Sequence, residues 1–138
     1  MGMLDTLSDL VSGQKQNAKG VAFSLSTSFT PFRLSSKKND TADLILEIEN
    51  VSGAGLLASI SVQVPRGLGL DATMTQKEKN YKAGEMKEGE TKKARVQIYS
   101  AMSTKPGVYP IAVEVFSHYR DYTHIITSVK KTVELRVV

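Results

Sequence analysis

Two histidines flank an aspartate near residue 120, and these three side chains are the strongest candidates for chemistry in the sequence. Imidazole and carboxylate groups are ligands for zinc, copper and nickel, so His118, Asp121 and His124 could contribute to a metal site. The flanking residues predict a β-hairpin whose tip is Arg120-Asp121. In that register His118 faces Thr123, and His124 falls on the opposite side of the sheet pleat. Because no third strong ligand is evident, neither a metal nor another cofactor is predicted.

The same hairpin carries side chains of the types that anchor protein interfaces. Tyr and Arg dominate the energetics of many interfaces, and loops at the ends of a β-sandwich often carry binding. The competing interpretation is structural, because Tyr119 and Tyr122 could pair across the two strands and only stabilise the hairpin. The predicted binding residues are His118, Tyr119, Arg120, Asp121, Tyr122 and His124.

Most other catalytic chemistry is excluded by the residues that the sequence lacks. The chain has no Cys, which rules out disulfides, thiolate metal sites and a cysteine nucleophile. It has neither a Gly-x-Ser-x-Gly elbow nor a phosphate-binding Walker loop. The glycine pairs at Gly53-Ala-Gly55 and Gly67-Leu-Gly69 each join two predicted strands, so the helix N-terminus that cradles phosphate is missing. We therefore predict that the protein is not an enzyme.

The positive charge is spread along the chain. The 138 residues include 18 Lys and Arg and 14 Asp and Glu, which gives a formal net charge of +4 at pH 7. Between Lys77 and Lys93 the basic residues are interleaved with glutamates and do not form a basic stripe with stacking aromatics, so no nucleic-acid partner is predicted. This stretch is predicted to be a solvated, salt-bridged loop with at most a short strand around Tyr81.

The elements of the chain begin with a predicted helix. The apolar spacing in the first twelve residues is typical of a short amphipathic helix, which Gly13 ends and a polar linker follows. We therefore divide the chain into residues 1–20, helix and linker, and a domain at residues 21–138.

This helix is too short to be stable alone in water, so its apolar face must pack against the domain's own sheet or against another chain. We predict a homo-oligomer or a larger complex that assembles partly through this helix. A membrane surface is the less favoured alternative, because Asp5 and Asp9 would be repelled by anionic headgroups. No export signal is evident, which predicts a cytoplasmic protein. The predicted oligomerisation residues are Leu4, Leu7, Leu10 and Val11.

After the linker, apolar residues alternate with polar ones at the period of a β-strand, in about seven segments joined by turns. Pro31 removes a ladder donor, so the first strand is predicted at a sheet edge, bending or switching sheets before Phe32 and Leu34 re-enter the core. The last strand, residues 125–138, is long enough to need a bulge near Ser128 to Lys131. The fold prediction is all-β: an immunoglobulin-like sandwich of two antiparallel sheets.

The order of turns and strands from Leu44 to Val138 resembles the CARDB-type immunoglobulin-like domains of archaea and bacteria. The matching segments are Leu46-Glu-Ile-Glu-Asn50 with Gly53, Ile60-Ser-Val-Gln-Val-Pro65 with Gly67-Leu68, Met86-Lys-Glu-Gly-Glu90, and Pro106-Gly-Val-Tyr109-Pro-Ile111. The resemblance spans about two-thirds of the chain. It implies a fold and a role in protein contacts or spacing, without an active site. Tyr109 is predicted to form a tyrosine corner, its hydroxyl bonded to backbone near the preceding turn.

These features together predict a non-catalytic interaction or scaffold module with a protein partner, assembling through its N-terminal helix and its loop tips. A second hypothesis is a soluble ligand-binding or stress-protective sandwich, which requires a pocket between the sheets. A third is a weak metal-dependent enzyme that uses His118 and His124.

Overall fold

The computed structural model describes residues 22–31 and 33–138. This part of the chain forms eight strands and no helix, and it therefore holds no helix that could cross a membrane. The strands are β1 Phe23–Thr30, β2 Arg33–Leu34, β3 Thr41–Asn50, β4 Leu56–Gln63, β5 Glu78–Met86, β6 Thr91–Tyr99, β7 Gly107–His118 and β8 Ile125–Val137.

Two of the predictions fall on other parts of the chain. The N-terminal helix and the core position of Phe32 lie outside the described residues. The predicted oligomerisation residues belong to that helix: Leu4, Leu7, Leu10 and Val11.

The strands form two sheets, as predicted. One has three strands in the order β1-β3-β6, and the other has five in the order β2-β8-β7-β4-β5. Neighbouring strands in the described part pair antiparallel, except that the two-residue β2 pairs parallel with β8. The all-β sandwich is confirmed, with eight strands in place of about seven.

Pro31 marks the point at which the chain leaves one sheet for the other. β1 lies at the edge of the three-stranded sheet and pairs with β3 along its whole length. After the cis Thr30-Pro31 peptide, β2 joins the edge of the five-stranded sheet and buries Leu34. Proline is tolerated at such an edge because its missing N–H has no partner strand to serve. The predicted edge position and the sheet switch are both confirmed.

The core lies between the inner faces of the two sheets. In β3, Leu44, Leu46 and Ile48 are at most 1% exposed, as their alternation predicts. Removing each such side chain from water contributes roughly 1.5–3 kcal/mol before ordering costs. The buried side chains that the five-stranded sheet contributes include Ile60, Val62, Ile111, Val113, Val115 and Leu135. Because the side chains on the inner faces are buried in the core, any binding site formed by them is closed to solvent. Candidate binding residues therefore lie on the outer faces and in the loops.

The charged stretch predicted as a loop is instead an edge strand, so that prediction is wrong. β5 is nine residues long and pairs with β4 on one side only. Tyr81 and Ala83 pack against the core, while the intervening polar residues face outward. On the free edge, Lys92 Nζ donates to the carbonyls of Ala83 and Glu85 at 2.8 and 3.1 Å. Charged side chains on an edge strand discourage pairing with another chain. Because β5 carries such side chains, its composition resembles that of a loop.

Tyr109 forms the predicted tyrosine corner. Its hydroxyl donates a hydrogen bond of 2.7 Å to the carbonyl of Lys105, four residues earlier. The Gly67 backbone lies so close to the ring that a Cβ there would be 2.9 Å from Tyr109 Cε2. The hydroxyl of Thr104 donates to the Gly67 carbonyl at 2.7 Å. The corner therefore joins the loop that follows β4 to the start of β7.

Candidate functional site

The connection between β7 and β8 is a six-residue loop, so the two-residue turn predicted at Arg120-Asp121 is wrong. The Tyr119 N–H donates to the carbonyl of His124 at 3.1 Å and closes the loop. Arg120 has a φ of 69°, in the left-handed region. The Asp121 carboxylate accepts from both the Thr123 N–H and the Thr123 hydroxyl within this loop.

Asp121 organises this loop. Its Oδ1 also lies 2.8 Å from His124 Nδ1. Hydrogen bonds from Thr123 and from His124 lower the pKa of the Asp121 carboxyl to about 2. Both partners are exposed, so the pair shapes the tip of the loop and is screened by solvent.

A bulge at the start of β8 shifts the register beside the loop. His118 pairs with Ile125 and Ser117 with Thr127, so Ile126 is the extra residue. The Ser117 hydroxyl accepts from the Thr127 N–H at 3.0 Å and supports the irregular backbone. The bulge was predicted near Ser128 to Lys131, where it would have interrupted a long strand. It lies instead at Ile126, next to the loop, where it adjusts the register of β8 to the loop.

His118 is buried on the outer face of the five-stranded sheet, with 3% of its surface exposed. A hydrogen bond of 2.7 Å joins its Nε2 to Ser59 Oγ of the neighbouring strand β4. Its Nδ1 is closed to solvent and has no hydrogen-bond partner within 3.5 Å, although the Tyr122 backbone interacts with the imidazole. Burial lowers the pKa of His118, while the Tyr122 backbone and the Asp121 carboxylate act in the opposite direction.

Tyr122 extends from the loop back over this outer face. Its hydroxyl accepts a hydrogen bond of 3.0 Å from the Gly84 N–H of β5. The ring packs edge-on against the His118 ring with 5.1 Å between centroids, and Lys82 Nζ lies 5.1 Å from the Tyr122 centroid. The hairpin loop is therefore fastened across β4 to β5.

A groove of about 270 Å³ lies beside Tyr122 on this face. It contains one ammonium group, that of Lys82, and no carboxylate. The lining residues are Ser59, Ile60, Asn80, Tyr81, Lys82, Phe116, His118, Tyr122 and Ile125. Most of this surface is apolar, so the groove combines an apolar interior with one positive charge.

An apolar patch adjoins the groove through Ile125. Tyr119, Ile125 and Ile126 are exposed by 54%, 59% and 50% of their surfaces. The Arg120 guanidinium lies 5.0 Å from the Tyr119 ring centroid. Large apolar side chains exposed together at one end of a domain are typical of an interaction surface.

The structure divides the predicted binding residues into two groups. His118 and Tyr122 line the groove, whereas Tyr119, Arg120, Asp121 and His124 are exposed at the loop. The predicted cross-strand pairing of the two tyrosines does not describe their contacts, because Tyr122 packs on His118 and Tyr119 contacts Arg120. The residues that the sequence did not suggest belong to β4, β5 and β7: Ser59, Asn80, Lys82 and Phe116.

The metal-site alternative gains no support from this geometry. His118 is bonded to Ser59, and His124 is bonded to Asp121 at the loop tip. In residues 22–31 and 33–138, no three His, Asp or Glu side chains are close enough together to hold a metal ion.

The lowered pKa of His118 predicts a pH-dependent stability. Between about pH 6.5, the pKa of an unperturbed histidine, and the lower pKa of the folded state, only the unfolded chain gains this proton. We expect the free energy of unfolding to fall as the pH drops from 7.5 to 5, by at most about 1.4 kcal/mol per pH unit. Urea denaturation at several pH values measures this change in the free energy of unfolding.

The matched comparison is the variant His118→Gln, which removes the titrating imidazole and should flatten the pH dependence. An equally steep fall in His118→Gln would contradict the assignment.

Comparison with known proteins bears on the fold. Neither the protein-family models nor the curated proteins give a match. The structure is similar to the CARDB domain of a Pyrococcus furiosus protein, which was crystallised in complex with di-metal ions. The TM-score is 0.54 at 16% identity, covering 89% of this chain and 95% of that chain.

A family 123 glycoside hydrolase from Clostridium perfringens gives a TM-score of 0.49 at 10% identity, covering 83% of this chain and 27% of that one. This chain thus spans only a minor part of that enzyme. At these identities the similarity concerns architecture alone. The chain is an immunoglobulin-like β-sandwich with the fold of a CARDB domain.

Proposed function

We propose that this protein is a non-catalytic interaction module that binds a protein partner through the loop between β7 and β8. The carrying observation is the patch of Tyr119, Ile125 and Ile126, each at least half exposed and continuous with the groove through Ile125. Aromatic and branched aliphatic side chains of this size dominate binding energy where a partner excludes water.

The loop is held in place before any partner arrives. The hydrogen bond from the Gly84 N–H to Tyr122 and the bonds within the loop to Asp121 fix its backbone. An ordered loop loses little conformational entropy on binding, which favours affinity. Loops fixed on a sandwich are a common location for recognition.

The remaining elements of the proposal rest on the sequence. We propose a cytoplasmic protein without enzymatic activity or a nucleic-acid partner, assembled into a homo-oligomer through Leu4, Leu7, Leu10 and Val11. The ligand-binding alternative requires a pocket between the sheets. The described groove lies on an outer face, so it does not favour that alternative.

Site-specific photo-cross-linking in cells tests the proposal. A benzophenone side chain is introduced at position 119 in one variant and at position 108 in the control. Val108 is also about half exposed, at the other end of β7. Position 119 should yield a discrete cross-linked partner that position 108 does not.

The affinity of the purified partner then gives the decisive measurement. We expect the double variant Tyr119→Ser with Ile126→Ser to bind it at least about tenfold more weakly than the wild type. Val108→Ser should bind as the wild type does. No cross-link at position 119, the same partners from both positions, or unchanged affinity of the double variant would each overturn the proposal.

A further inference from the structure

We propose that the groove beside Tyr122 is the pocket for the C-terminal residue of the partner polypeptide, an apolar side chain with its free carboxylate. This inference rests on the proposed function. It adds the chemistry by which the partner is recognised.

The apolar part of the groove fits one large side chain. Phe116, Tyr122 and Ile125 form its apolar walls, and its volume is about 270 Å³. Small-molecule sites usually enclose about 300–1,000 Å³, so this groove is slightly smaller than such sites. At the loop the groove adjoins the apolar patch through Ile125, and we infer that Tyr119 and Ile126 of this patch contact the residues that precede the inserted one.

The charge of the groove selects an anion. Lys82 contributes the only ammonium among the lining residues, Asn80 contributes an amide, and no lining residue is acidic. The nearby Asp121 carboxylate is engaged by Thr123 and His124 at the loop tip and is not among the lining residues. A carboxylate at the Lys82 end would form a charge-assisted hydrogen bond.

His118 places a reporter ring in the groove. It is nearly fully buried and lines the groove together with Tyr122. The Tyr122 ring packs edge-on against the imidazole with 5.1 Å between the ring centroids. A ligand that packs against the Tyr122 wall therefore changes the environment of the His118 ring while the loop keeps its position.

Nuclear magnetic resonance titration of the 138-residue chain tests the inference with three probes. They are N-acetyl-Gly-Gly-Phe with a free carboxylate, the same peptide as its C-terminal amide, and N-acetylphenylalanine. The free-acid peptide should shift the resonances of groove residues, including the His118 ring, and bind about tenfold more tightly than the amide.

A matched pair of lysine variants locates the charge. Lys82→Gln should weaken binding of the free acid about tenfold and leave the amide unchanged. Lys79→Gln is the control, because Lys79 lies on the same strand with its Nζ 5.7 Å from the Tyr81 ring centroid and does not line the groove. Lys79→Gln should bind both peptides as the wild type does.

Three results would overturn the inference: no shifts at the groove, equal affinities for the acid and the amide, or no effect of Lys82→Gln. If N-acetylphenylalanine binds as tightly as the peptide, the groove is a site for small carboxylates and the C-terminal assignment is wrong. Should these tests fail while Tyr119→Ser with Ile126→Ser still loses the cross-linked partner, the proposed function stands and only the recognition chemistry is overturned.

Discussion

Replacing Asn50 by aspartate is expected to lower the free energy of unfolding by about 3–5 kcal/mol at pH 7. Asn50 ends β3 and is 1% exposed. Its Nδ2 donates to the carbonyls of Ala54 and Met86 at 2.8 and 2.9 Å. Its Oδ1 accepts from the N–H and the hydroxyl of Ser52 at 3.0 and 2.7 Å. The side chain therefore fixes the turn after β3 and ties it to the end of β5.

An aspartate at this position keeps the shape of the side chain and removes both donors. Its second oxygen would face two backbone carbonyls, with burial preventing water from screening the negative charge. Both effects raise the pKa of the introduced carboxyl in the folded state. Asn50→Ala is the control for lost hydrogen bonds without a charge, and we expect it to cost about 1–3 kcal/mol.

The sign of the pH dependence separates the two variants. Because the introduced group has a folded pKa above its unfolded value of about 3.9, the deficit of Asn50→Asp is smallest below pH 4. It grows as the pH rises from about 3.9 to the folded pKa, and it levels off above the folded pKa. Urea denaturation at pH 4 and pH 7, with each variant compared to the wild type at the same pH, measures this difference. A deficit of Asn50→Asp that equals that of Asn50→Ala at both pH values would contradict the buried contacts of Asn50.

The sequence predicted the sandwich because the alternation of a strand with one buried face is local. Leu44, Leu46 and Ile48 show it without reference to any other segment, and all three are buried. β5 lacked this signal because it is an edge strand. Its inner positions carry the half-buried Tyr81 and Ala83, and its outer positions are charged or polar, which is the composition of a loop.

The candidate site was predicted only in part, because it depends on register between distant strands. Ser59 and His118 are 59 residues apart, and they meet because β4 and β7 pair with Leu57 opposite His118. The bulge at Ile126 and the six-residue loop then carry Tyr122 to Gly84. The sequence does contain the aromatic and basic residues of the loop. Which of them turn toward the groove is decided by pairings that no local pattern encodes.

The tyrosine corner gives the second large effect: Gly67→Ala is expected to lower the free energy of unfolding by about 2–4 kcal/mol. Gly67 has a φ of +101°, which costs an alanine roughly 1–2 kcal/mol in backbone strain. The added Cβ would also lie 2.9 Å from Tyr109 Cε2 and must displace the ring that donates to the Lys105 carbonyl. Thermal and urea denaturation measure the loss.

Gly89 and a double-mutant cycle divide this effect into its causes. Gly89 has a φ of +76° and open space where its Cβ would be, so Gly89→Ala reports backbone strain alone. Gly67→Ala should cost more than Gly89→Ala by the energy of displacing Tyr109. In a cycle with Tyr109→Ala, the double variant should be more stable than the sum of the single losses predicts, by about 0.5–3 kcal/mol, because the ring that clashes is gone. Additive losses would show that the ring yields without cost, in which case Gly67 serves only its own backbone conformation and the corner does not restrain the loop that follows β4.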